Sequence, residues 1–255
     1  MTNQEILRIA LAQSAADANC APEDFLKNEP VFVPAGLTDK ARKYLKPPMM
    51  CNFITYGNNV VVSVAEPLRP LAEAYVKKYE FYECFETPQL LWLNERLRPQ
   101  GLAVCFMAEY YLPDVNKMHG KVCPYPTKIL HQEDFRNLYR PEWSNALCAN
   151  RRELDILGIG AYDGDKLVGL AACSADCDSM WQIGIDVLPD YRRQGIAAAL
   201  TENLAIRILK QGKVPFYCSA WSNVRSVRNA VKSGFIPAWM EMTVKPISVV
   251  NDFLN

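Results

Sequence analysis

The sequence predicts a mixed α/β fold in two domains, α+β in the sense of a mixed sheet, and three observations carry that expectation. Half of the 255 residues are hydrophobic and 22% are charged, which is enough apolar material for a packed core and too little charge for a disordered chain. The second half alternates strand-like and helix-like stretches in a regular order. Between the halves, residues 112–126 hold Pro113, Gly120, Pro124 and Pro126, a linker signature. The boundary is therefore placed near 125. This gives a smaller N-terminal α/β accessory domain over 1–125 and a C-terminal domain over 126–255, in line with about 150 residues per domain.

The first domain begins with an amphipathic helix over 1–20, its apolar side supplied by Ile6, Leu7, Ile9, Ala10 and Leu11. A mixed, Pro-containing segment runs to Pro48. Strands follow over 49–56 and 60–64, joined by the turn Gly57-Asn58-Asn59. Helices over 67–79 and 88–98 end at Pro99-Gln100-Gly101, and 102–111 is β-prone. In the second domain, helical pieces over 132–139 and 141–149 precede a hairpin of strands 155–162 and 166–174 turned at Asp163-Gly164-Asp165. A third strand covers 180–188. The helix 196–211 buries Ile196, Leu200, Leu204 and Ile208 and ends at Gly212, with Pro215 beyond it. Strand 216–221, a short helix over 223–233 with Val227, Ala230 and Val231 facing inward, and strand 236–244 complete the order.

Charge and cysteine content exclude several classes. Lys plus Arg equals Asp plus Glu at 28 each, so no basic surplus points to nucleic acid or an anionic membrane. No apolar stretch approaches the length of a membrane span, and the N-terminus lacks a signal-peptide pattern. Nine scattered cysteines, an odd number, several inside apolar runs, fit reduced thiols in the cytoplasm. The spacings His119-x-x-x-Cys123 and Cys173-x-x-x-Cys177 are not the paired knuckles of structural zinc, and no metal is expected.

The segment that carries chemistry is Val187-Leu188-Pro189-Asp190-Tyr191-Arg192-Arg193-Gln194-Gly195-Ile196-Ala197-Ala198. It reads as a strand, a tight turn and the first turn of a long helix. The first amides of a helix lack internal partners and lie at its positive end. Gly195 and Ala197 keep side chains away from an approaching anion, and Arg192 and Arg193 add charge. Such a turn can cradle a phosphate or pyrophosphate.

Arg192-x-x-Gly195-x-Ala197 resembles the [Q/R]-x-x-G-x-[G/A] signature of the GNAT superfamily of acyl-CoA N-acyltransferases, and Asn223-Val224-Arg225-Ser226 with Gly234-Phe235 resembles its second cofactor segment. The resemblance covers residues 126–246. It implies a GNAT fold with a splayed central sheet in the C-terminal half, and acetyl-CoA (coenzyme A) as the cofactor. The amides of Arg193, Gln194, Gly195, Ile196, Ala197 and Ala198 would hold the pyrophosphate. A backbone N–H near Val187 would polarise the thioester carbonyl, and Asn223 and Ser226 would bind the pantetheine arm or the nucleotide. Asn223 is equally a favoured helix cap, and Ser226 equally a solvated first-turn serine.

Direct transfer needs a base for the amine and an acid for the thiolate. Asp186 is the candidate base, with Gln182 and Trp181 shaping the acceptor pocket; Asp186 read blandly is a strand-end carboxylate bonded to a turn. The family often has Tyr four residues before its Gly-Phe pair, where this chain has Ala230, so Tyr217 and Cys218 stand as substitute acids. The expected activity is N-acetylation of a primary amine on a small molecule, by a monomer or homodimer without nucleic-acid or membrane partners. A coenzyme A-binding sensor or scaffold without turnover, or a related enzyme with another acyl donor, are the alternatives.

Overall fold

The computed structural model describes residues 1–252. In chain order the elements are α1 (Asn3–Ala18), β1 (Val31–Pro34), β2 (Cys51–Thr55), β3 (Val61–Val64), α2 (Arg69–Val76), α3 (Thr87–Leu97), β4 (Leu102–Pro113) and β5 (Thr127–His131). Then come β6 (Asp155–Asp163), β7 (Lys166–Ser174), β8 (Met180–Val187), α4 (Ile196–Lys210), β9 (Val214–Ser219), α5 (Val224–Lys232), β10 (Phe235–Pro246) and α6 (Ile247–Asp252). The fold is mixed α/β. The chain divides into two compact units, Met1–Ala10 with Tyr111–Pro237, and Leu11–Tyr110 with Ala238–Asn255, where the sequence suggests a single break near 125.

The second of these units orders its strands β1-β3-β2-β10-β4. The expected hairpin forms, with Cys51 opposite Val64 and Ile54 opposite Val61. Its apolar face packs with α2 and α3 around Phe53, Val62, Tyr75, Leu93 and Met242. A buried polar cluster sits beside this core: Arg42 donates to both Asp17 and Glu241, and Trp239 Nε1 donates to the same Glu241 oxygen at 2.9 Å. Trp239 is stacked between Tyr110 and Tyr56.

The other unit orders its strands β9-β8-β7-β6-β5. β5 through β8 are antiparallel neighbours, and β8 and β9 are parallel. Alternation along β8 sorts its side chains onto two faces. Trp181, Ile183, Ile185 and Val187 join the α4 stripe of Ile196, Leu200, Leu204 and Ile208 in one cluster. Gln182, Gly184 and Asp186 sit opposite Ser174, Ala172 and Leu170 of β7, on the face where Leu170 and Ala172 pack with Phe135, Trp143, Ala146 and Leu147.

Several expectations are corrected. The segments 132–139 and 141–149 form only short 3-10 turns, Gln132–Asn137 and Pro141–Trp143, and the rest is an irregular strap lying on the sheet. Val231 is 55% exposed rather than inward. The inward face of α5 runs through the half-buried Ser226 and Val227 and the buried Ala230, so a polar member shares the face with the apolar residues that mark it. β5 carries no alternation because Leu130 alone is buried. β9 starts at Val214, before Pro215, a residue that reads as a strand breaker. The Pro- and Gly-containing stretch 112–126 belongs to this unit and is docked: His119 and Gly120 donate their amides to Glu202 at 2.8 and 2.9 Å, and Asn203 donates to the Lys121 carbonyl.

Candidate active site

The parallel pairing of β8 with β9 runs only from Met180–Val214 to Gln182–Phe216, although β8 continues to Val187 and β9 to Ser219. Beyond Gln182 the strands part, as expected for a splayed sheet. Which backbone groups face the opening follows from antiparallel alternation. Leu188 donates its amide to Val168 of β7 at 3.0 Å, so the amides of Ile185 and Val187 point to the opposite edge, toward the gap. The edge of β8 is thus a short template onto which an extended, amide-bearing chain can pair.

The gap leads to the N-terminus of α4. Arg193 (φ 66°) and Gly195 (φ 86°) both take the left-handed conformation, which turns the chain sharply so that its N–H groups converge. A Cβ on Gly195 would meet only open space. No side chain caps this helix. Among the described residues, the amides of Arg193, Gln194, Gly195, Ile196, Ala197 and Ala198 meet no acceptor, the ladder starting with Ala199 donating to Gly195 at 3.1 Å. Six consecutive unpaired donors at the positive end of a 15-residue helix fit a pyrophosphate well. Together with the open edge of β8, they match the two ends of an acyl-CoA.

Arg192 has a second task. Its Nε donates to the Val187 carbonyl at 2.9 Å, pinning the turn to the end of β8 and leaving the Val187 amide directed at the gap. Gln194 is steadied by the Tyr125 hydroxyl at 3.0 Å, a contact the sequence does not signal.

The other candidates divide between the sheet's faces. Tyr217, buried on the α4 side with Tyr111 and Phe235, places its hydroxyl 2.8 Å from Ser226 Oγ. Burial raises its pKa, against the opposing bonds from Ser226 and Asn229. Ser226 and Ala230 lie four residues apart on one stripe, so the phenol rests on the α5 stripe that carries Ala230. Asn223 caps α5, its side chain accepting from the Ser226 amide at 3.3 Å.

Asp186 lies on the opposite face. Its Oδ2 accepts the amides of Asn145 and Ala146 at 2.8 and 2.9 Å, and its Oδ1 accepts Asn145 Nδ2 at 2.7 Å. Burial pushes its pKa up and outweighs these bonds and the charge of Arg192. Gln182 shares this face and donates to Cys218 Sγ at 3.0 Å. Asp186 and Tyr217 are therefore separated by the sheet. Sequence reasoning missed Asn145 and Gly184; an isolated glycine inside β8 was the available signal for a close backbone approach.

A cavity of 410 Å³ lies apart from these residues, lined by Gln132, Glu133, Arg136, Tyr139, Arg152 and Glu153. Among the described residues no group of three His, Cys, Asp or Glu side chains is placed to hold a metal ion, and no helix is long and apolar enough to cross a membrane.

Residues 124–238 match the family model described as GNAT acetyltransferase. Similar solved structures include a GCN5-related N-acetyltransferase-like protein from Streptococcus suis, at 19% identity and TM-score 0.46 over 62% of this chain and 69% of that one. A GNAT-family acetyltransferase from Colwellia psychrerythraea shows 14% identity and TM-score 0.45, covering 80% and 84%. A GCN5-related N-acetyltransferase from Sphaerobacter thermophilus shows 12% identity and TM-score 0.49, covering 95% and 93%. Against a GNAT-family acetyltransferase structure from Novosphingobium aromaticivorans (19% identity, TM-score 0.43, 56% of this chain), the chain spans about two thirds, 66%, of the relative's length. No curated protein matches the chain. The splayed β8–β9 pair and the open amide turn at α4 both lie inside residues 124–238, the segment that matches the GNAT acetyltransferase family model.

Proposed function

We propose that this domain is an acetyl-CoA-dependent N-acetyltransferase acting on a primary amine of a small molecule. The observation that carries the reading is the run of unpaired amides from Arg193 to Ala198, continuous with the open edge of β8. When bound, an acyl-CoA supplies an activated thioester. The Val187 amide, held toward the gap by the Arg192 bond to its own carbonyl, polarises the carbonyl as a one-donor oxyanion site. The nitrogen lone pair of the amine forms the new C–N bond as the C–S bond breaks. Tyr217, kept protonated by burial, supplies the proton that the departing thiolate takes up, and the proton lost from the acetylated nitrogen restores the phenol.

A small acceptor is favoured by the balanced charge of 28 basic and 28 acidic residues, which offers no field for a polyanionic or polycationic partner. A second reading, a coenzyme A-binding sensor without turnover, is favoured by one observation: the carboxylate expected as base is already filled by three donors. Calorimetry with acetyl-CoA followed by thiol release over an amine panel separates them. Binding with thiol release on one amine supports the enzyme, binding without turnover supports the sensor, and no binding overturns both.

A further inference from the structure

The two faces of the β8–β9 opening are unequal. On one side α4 and α5 close it with packed residues, Tyr217, Ala230, Ile196 and Phe235 all buried. An acceptor molecule must approach from the other side, where the exposed Asn145 of the strap stands over Asp186. Three carboxylates hang that strap from the sheet. Asp186 takes Asn145 and Ala146, Asp155 takes the Cys148 amide at 2.9 Å, and Asp176 pairs with Arg151 at 3.1 Å. The seat is also cut for it: a Cβ on Gly184 would overlap the Asn145 carbonyl oxygen and press on Ala146 Cα at 3.0 Å. Glycine at this strand position is explained by that approach, since nothing about β8 itself requires it.

From this arrangement we infer that Asp186 is a positioning residue, which with Gly184 fixes the strap Trp143–Arg151 as the acceptor-side wall of the site and makes Asn145 a specificity-determining residue. The inference rests on the acyltransferase reading for the word acceptor, and on the strap geometry alone for the positioning. Three of the roughly four acceptor directions of the carboxylate are spent on the strap. A general base must instead present a free lone pair to the amine proton. Neutralising Asp186 to Asn keeps one oxygen for the two backbone amides but removes the negative charge from their bonds and sets an NH2 against Asn145 Nδ2, so the anchor weakens even though the shape is kept.

The test compares Asp186→Asn, Gly184→Ala and the milder Asn145→Ala, which removes only the 2.7 Å side-chain bond. Hydrogen exchange over 143–151 is read in each, together with amine KM, kcat, the pH–rate profile and acetyl-CoA affinity. The expected result is exchange over the strap at least tenfold faster in Asp186→Asn and Gly184→Ala. Both should raise amine KM about tenfold or more, with acetyl-CoA affinity within twofold and the acidic limb of the pH profile still present. Asn145→Ala should alter the ranking of amines and leave the fold intact. Loss of kcat and of the acidic limb in Asp186→Asn, with Gly184→Ala near wild type, would identify Asp186 as the base and overturn the inference. Unchanged strap exchange in Asp186→Asn overturns it as well. Absence of turnover in the wild type, with strap exchange still responding, defeats the acyltransferase reading and leaves the positioning role standing.

Discussion

Tyr217 and Ser226 share a hydrogen bond of 2.8 Å between β9 and α5, and it fixes the phenol at the helix stripe that carries Ala230. Tyr217→Phe keeps the ring contacts with Tyr111 and Phe235 and removes the hydroxyl, and with it the proton and the Ser226 bond. Turnover should fall about 10²-fold, the lower end of general-acid contributions, with acetyl-CoA affinity within twofold. Ser226→Ala removes a bond that lowers the Tyr217 pKa, so the alkaline limb of the turnover profile should move to higher pH. Steady-state kinetics across pH reads both. Wild-type turnover in Tyr217→Phe would remove the residue from the chemistry.

The Arg192 bond to the Val187 carbonyl makes a prediction that a purely electrostatic role does not. If the arginine mainly pins the turn, Arg192→Lys, which keeps the charge but lacks the planar Nε–H, should lose nearly as much affinity as Arg192→Ala. A loss of about tenfold in acetyl-CoA affinity is expected for both, close to one hydrogen bond's net contribution. Gly195→Ala tests the backbone: space is open there, but φ is 86°, and an L-residue in that conformation costs about 1–2 kcal/mol. Calorimetry checks all three, and full retention by Arg192→Lys would restore the charge reading.

Much of this site was legible because its parts are local. The turn Arg192–Ala198, the α4 stripe and the β6–β7 hairpin each follow from a few consecutive residues, and the structure has them within a residue or two of where periodicity puts them. What sequence could not show was pairing across long separations. That Asp186 faces Asn145, 41 positions away, depends on an irregular strap with no periodicity to read. The two expected proton-transfer residues lie on opposite faces of the sheet because Asp186 pairs in register with Leu170 while Tyr217 packs beneath α5. Neither fact has a local signature.

Asp155 gives a pH-dependent prediction for stability. Burial raises its pKa to about 6, partly offset by the Cys148 amide, Tyr139 and Arg151, while Asp176 adds to the rise. A carboxyl with a folded pKa above its unfolded value favours the folded state most when protonated. Its contribution is complete below about pH 4 and is lost as pH rises through 6. Asp155→Asn, which keeps an acceptor for the Cys148 amide, should therefore raise stability above pH 7 by about 1–2 kcal/mol, allowing for screening. The gain should vanish near pH 4. Denaturant melts at the two pH values measure it, and an equal effect at both would show that charge is not the cause.

Glu202 gives the opposite sign. It is fully buried on α4 and accepts the His119 and Gly120 amides, while Lys121 Nζ stands 2.6 Å from its Oε2. Burial alone would raise its pKa, yet the Lys121 bond and the two amides outweigh it and hold it below the usual carboxylate range. The stabilisation is thus present above the unfolded pKa of about 4.3 and is lost as pH falls through the folded value. Glu202→Gln keeps one acceptor for the two backbone amides but leaves Lys121 without its partner and turns its own NH2 toward that ammonium. It should cost about 2–4 kcal/mol at pH 7, as for breaking a buried pair, and the deficit should narrow toward pH 3. Lys121→Ala should cost about 1 kcal/mol or less, because its side chain is 42% exposed and solvent already screens the charge. A double-mutant cycle separates the two. A coupling near zero would mean that the two backbone amides, and not the lysine, keep this carboxylate charged inside the domain.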